Sequence, residues 1–82
     1  MQNGSLINFD AFLMQHITAL VRYGAIEAKY TGLLEDILDD KIYITDVVIH
    51  TLNGIVVLIP EIYLPSRIIV SVQAEQEKTN EH

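Results

Sequence analysis

The chain contains no cysteine. Small secreted domains often rely on disulfides because their cores are thin, so this one is stabilised by other means and its composition fits a cytoplasmic setting. It also lacks any long apolar run. The longest, Ile55 to Ile59, is far too short to cross a bilayer, and no membrane partner is expected. The opening MQNGSLINFDAF has no basic n-region and carries Asn8 and Asp10 inside its apolar stretch, so no signal peptide is expected. Basic residues are scarce, at five Lys and Arg against eleven Asp and Glu, for a net charge of −6. Non-specific nucleic-acid binding is mostly counterion release by Lys and Arg. The chain is therefore expected to be a poor general nucleic-acid binder. A local basic patch, repeated by symmetry, is the route left open.

What is abundant is apolar surface. Of 82 residues, 50% are hydrophobic, and a single domain of this size covers only part of such surface by itself. Self-association is the simplest way to bury the remainder.

The spacing of Phe9, Phe12, Leu13, His16, Ile17, Leu20 and Val21 predicts an N-terminal amphipathic helix over about 6–22, capped by Ser5 or Asn8 and stopped at Gly24. The same stretch also reads as a helix ending near Gln15 followed by a first strand, Ile17–Tyr23. The helical spacing persists through Val21, which favours the longer helix. Beyond Gly24, β-branched and aromatic residues with closely spaced turn signals predict strands near 25–38, 41–51, 55–64 and 67–73. Gly32 inside the first of these marks a bend or bulge. Asn53-Gly54 suits a type I′ hairpin turn. Pro60 confines its strand to an edge or a bulge. Strand 41–51 is apolar on both faces, with Ile42, Ile44 and Val48 on one side and Tyr43, Val47 and Ile49 on the other, so both faces need cover. Residues 74–82 are polar and read as a disordered tail, leaving 1–73 as the domain.

Two stretches resemble the Sm and Sm-like (Hfq-type) RNA-binding family. In YTGLLEDILDDKIYITDV, Tyr30, Gly32 and Leu34 match the family's Y-x-G-x-L, and Asp46-Val47 falls near its closing aspartate–hydrophobic pair, one residue early. In LPSRIIVSV, Leu64, Ile69 and Val72 match the hydrophobic positions of the second signature, while Pro65-Ser66 replaces Arg-Gly and Arg67 follows late. The resemblance implies a mainly β domain with an N-terminal α-helix, a small, strongly bent antiparallel Sm-like (SH3-type) β-barrel. It also implies a homo-oligomeric ring of roughly five to seven copies, closed by edge strands of neighbouring subunits. Its pore rim would carry loops 38–41 and 65–67, with a role in RNA or DNA processing. Lys41 stands where the family has its base-binding asparagine, so the matches fall on fold positions and the departures on ligand positions.

The candidate nucleic-acid contacts are Lys41 and Arg67 for phosphate, Tyr43 for stacking on a base, and Asp39, Asp40 and Ser66 as their loop neighbours. Each has a plainer reading: Lys41 neutralises its acidic turn, Arg67 starts a strand, and Tyr43 packs as strand tyrosines do. Glu35, Asp36, Asp39 and Asp40 lack the spacing of a calcium loop, and no metal or cofactor is expected. His16 and His50 read as packed or surface histidines. No Ser-His-Asp order, phosphate-cradling glycine loop or H-E-x-x-H occurs, so the chain is expected not to be an enzyme. Two functions follow: a ring that holds single-stranded RNA at its pore rim, or an oligomeric structural or protein-interaction module with the same barrel and no nucleic-acid ligand.

Overall fold

The structure, a computed structural model, describes residues 7–75. Five strands, β1 (His16–Tyr23), β2 (Ile26–Ile37), β3 (Lys41–Thr51), β4 (Val56–Pro65) and β5 (Ile69–Ala74), form one antiparallel sheet in the order β4-β3-β2-β1-β5. The last strand thus folds back beside the first. The sheet remains open, with β4 and β5 at its two ends. The expectation of a closed barrel is corrected accordingly. Closure requires strand tilt and register stagger to agree around a full circle, and a hydrophobic pattern encodes neither.

The predicted N-terminal α-helix is also corrected: among the described residues there is none. Phe9–Phe12 forms a short 3-10 turn, and His16–Tyr23 is the first strand. Two features decide this. Ile17, Ala19 and Val21 are buried in alternation, the period of a strand, and Ile17 and Val21 are β-branched. Met14 takes a left-handed φ of 65°, which ends any helix there. Its N–H bonds to the Leu34 carbonyl at 2.7 Å, and the Leu34 N–H bonds to the Gln15 carbonyl at 3.0 Å, tying the segment to β2. Ile7, Phe9 and Phe12, from this non-helical segment, pack against the core. The helix start at residue 6 lies outside the described residues.

The other strands lie within two residues of the predicted ones. Gly24, expected as a helix stop, is the first residue of the Gly24–Ala25 turn joining β1 and β2, with φ 63°. The β3–β4 turn contains Asn53-Gly54, but only Gly54 takes a positive φ, 88°, so it is not type I′. The Thr51 N–H closes it on the Ile55 carbonyl at 3.0 Å. Pro60 does lie in an edge strand, where its missing N–H is tolerated. Ala74 belongs to β5, so one residue of the expected tail extends the sheet, and the next, Glu75, is tied to it by its N–H bonding to the His16 carbonyl at 2.8 Å. The rest of that tail, 76–82, lies outside the described residues.

Bulges bend the sheet. Between the pairs Thr31↔Val48 and Leu33↔Thr45, Gly32 alone faces two residues, Asp46 and Val47. Asp46 takes the left-handed conformation, φ 53°. The extra residue reverses the alternation of β3. Val47, not Val48, therefore joins Ile42 and Ile44 in the core. Between Leu34↔Ile44 and Asp36↔Tyr43 a second extra residue, Glu35, sits on β2. The bent sheet folds one face around Ile17, Ala19, Val21, Leu34, Ile42, Ile44, Val47, Leu64 and Ile69, and no polar side chain is buried among the described residues.

Candidate functional site

One end of the sheet gathers the charged loops. The 38–40 turn between β2 and β3 is closed by the Leu38 N–H on the Lys41 carbonyl, at 2.8 Å. Lys41 then pairs with Pro65 across the β3–β4 ladder, and the Ser66 N–H donates to the Asp40 carbonyl at 2.9 Å. A second 3-10 turn, Ser66–Ile68, carries Arg67 outward. Five of the six predicted site residues, Asp39, Asp40, Lys41, Ser66 and Arg67, thus lie on one rim, although the two segments are far apart in sequence.

The electrostatics of this rim are balanced rather than basic. The Lys41 ammonium sits 3.5 Å from the Asp40 carboxylate, with both side chains well exposed. An exposed pair of this kind contributes little to stability, and it partly neutralises the cation that a phosphate would seek. Arg67 is exposed and makes no ion pair among the described residues.

Tyr43, the sixth candidate, belongs to a different group. It lies on the sheet face opposite the core, its ring centroid 4.8 Å from that of Tyr63 at a 33° tilt. Its hydroxyl donates to the Glu61 carboxylate. Beside it, the Thr45 hydroxyl donates to Glu35 at 2.8 Å, and Asp36 is the cross-strand neighbour of Tyr43. Tyr43 is thus already stacked and hydrogen-bonded, with carboxylates around it. Tyr63 and Glu61 are the residues that sequence reasoning passed over. The hairpin register held the signal: a strand pair folded at Asn53 places Tyr43, ten residues before, opposite Tyr63, ten after.

The hydrogen bond to Glu61, followed by desolvation and the Glu61 charge, pushes the Tyr43 phenol up to about 12. A group whose pKa is raised on folding adds stability that is complete below the unfolded value of about 10 and is lost as pH rises through the folded value. The tyrosine network is therefore expected to weaken between about pH 10 and pH 12. Absorbance of tyrosinate should show one tyrosine titrating late, and Glu61→Gln should bring it back toward the others. A single unshifted titration in the wild-type protein would contradict the Tyr43–Glu61 bond.

Among the described residues, no three His, Asp or Glu side chains are grouped to hold a metal ion, and no helix is long and apolar enough to cross a membrane. Compared with protein-family models and with curated proteins, the sequence matches none of them.

Proposed function

We propose that the protein is a ring-forming Sm-like module of the cytoplasm that holds single-stranded RNA on the rim built by loops 38–41 and 65–67, and that it performs no catalysis. The observation that carries this reading is the Ser66–Asp40 hydrogen bond, which joins the two loops that the family resemblance assigns to a pore. A sheet with β4 and β5 both at open ends supports assembly, since each subunit offers one edge of each kind to its neighbours. A ring repeats Lys41 and Arg67 around one axis, which is how an acidic chain concentrates positive charge.

Binding of labelled uridine-rich and adenine-rich oligonucleotides, followed by fluorescence anisotropy over a salt series, tests this. Lys41→Ala and Arg67→Ala should each weaken binding by about tenfold and flatten its salt dependence, as loss of phosphate contacts does. No binding by the wild-type protein at low salt ends the RNA reading. A second reading then stands: an oligomeric protein-interaction module. The Lys41–Asp40 pair and the carboxylates Glu35, Asp36 and Glu61 near the rim favour it, because they disfavour an approaching phosphate.

A further inference from the structure

At the opposite end of the sheet from the charged rim, on the face turned away from the core, the three central strands form the floor of an open hollow of about 480 Å³. Its lining includes Thr18 and Leu20 from β1, Lys29 and Thr31 from β2, His50 from β3, and Leu52 from the following turn. The register sets these residues in two rows across the sheet. Leu20, Lys29 and His50 are successive cross-strand neighbours, and Thr18 faces Thr31 in the adjacent row. We propose that this hollow is a binding site for a nucleotide-sized phosphorylated molecule, with Lys29 and His50 holding the phosphate and Leu20 and Leu52 walling its ring.

Charge, hydrogen bonding and size converge on that ligand class. Glu27, the one carboxylate of the lining, has its Oε1 3.7 Å from the Arg22 Nε and is partly neutralised by it. No carboxylate pairs with Lys29 among the described residues, whereas Lys41 is held by Asp40. In a chain of net charge −6 the hollow therefore places an uncompensated ammonium beside an imidazole. Lysine offers a phosphate a point charge with several donors, and an imidazole N–H adds a directed one. The Thr31 hydroxyl already donates to the Val48 carbonyl at 3.3 Å, but no hydrogen bond engages the Thr18 hydroxyl among the described residues. Ligand sites of ~300–1,000 Å³ combine apolar walls with a few convergent polar groups, and the hollow has that makeup. It is separate from the rim: Lys41 opens β3, whereas His50 lies next to its last residue, Thr51.

Titration of the full-length protein with inorganic phosphate, with adenosine monophosphate and with a short oligonucleotide, read by amide NMR shifts, tests the site. The expected result is saturable shifts centred on Thr18, Lys29, Thr31 and His50, with the mononucleotide binding more tightly than phosphate. The exposed pair Lys29→Ala with His50→Ala should weaken mononucleotide binding by at least about tenfold, as loss of charge-assisted hydrogen bonds does. Shifts confined to Thr18, Lys29, Thr31 and His50 and absent from Lys41 and Arg67 make the outcome independent of RNA binding at the rim. An oligonucleotide that displaces the mononucleotide makes RNA the source of the same chemistry; one that shifts only rim residues makes a free nucleotide the source. Shifts that never saturate, shifts equally large at Lys41 and Arg67, or unchanged affinity in the double variant would overturn the assignment.

Discussion

Replacing Gly32 with alanine is expected to destabilise the fold by about 3 kcal/mol, the upper part of the range for forcing extra atoms into a packed site. A Cβ built on Gly32 would stand 2.7 Å from the Thr45 backbone carbonyl oxygen, with the Asp46 carbonyl oxygen at 3.4 Å and an Ile44 methyl at 3.5 Å. The nearest atom is backbone, beside the bulge, so no side-chain rotation relieves the contact. Either β2 and β3 separate, breaking the ladder where the sheet bends, or the Asp46 bulge reorganises and Val47 leaves the core. For a domain of this size such a loss corresponds to a fall in Tm of roughly 12–24 °C. Gly24→Ala is the control. Gly24 has φ 63° but open space around it, so alanine there incurs only the left-handed backbone cost, about 1 kcal/mol. Thermal melts at one matched protein concentration compare the two, because association would otherwise shift Tm. Equal melting of the two variants would mean that the close approach at Gly32 is not what bends the sheet.

The same bulge shows which parts of this molecule were legible in its sequence. Gly32 was readable as a break in β2 because glycine inside a strand has few other reasons to be there. The partner irregularity at Asp46 was not readable. A residue with a side chain is no signal for positive φ, and an inserted residue inverts the alternation after it, so Val48 was assigned to the face that Val47 occupies. The N-terminal segment failed for a related reason. Ile17 and Val21 satisfy a helical spacing and a strand alternation at once, and the arbiter, the left-handed Met14, is conformational rather than compositional. The rim was legible because its loops flank stretches with a family resemblance, yet the charge pairing within it and the Tyr43–Tyr63 contact depend on register. Register depends in turn on locating the β3–β4 turn to the residue.

Leu58→Lys is expected to leave the monomer folded and to abolish self-association, lowering the mass measured by light scattering to that of one chain, 9.3 kDa. Leu58 is 73% exposed, and its neighbours Val56 and Val57 are also exposed, so the isolated fold loses little core when it changes. Soluble proteins protect an open strand edge with lysine, proline or a short strand. β5 is short, six residues, and β4 carries Pro60 at its middle, but β4 is ten residues long and its first four residues, Val56, Val57, Leu58 and Ile59, have neither charge nor proline. An edge so apolar is a template for pairing with another strand. A neighbour's β5 fits that template better than a second β4, because head-to-tail pairing of unlike edges satisfies every subunit of a closed ring, whereas β4-to-β4 pairing stops at a dimer and leaves both β5 edges open. A lysine placed on the strand inserts a charge into that seam while remaining solvated in the free subunit. Circular dichroism should show the same strand signal as the wild type. If Leu58→Lys keeps the wild-type mass, β4 is not the seam. If the wild-type protein is itself monomeric at micromolar concentration, the ring fails and a rim built from repeated Lys41 and Arg67 fails with it. Two substitutions on the same small sheet thus separate its demands: Gly32 reports on the bend within one subunit, and Leu58 on the contact between subunits.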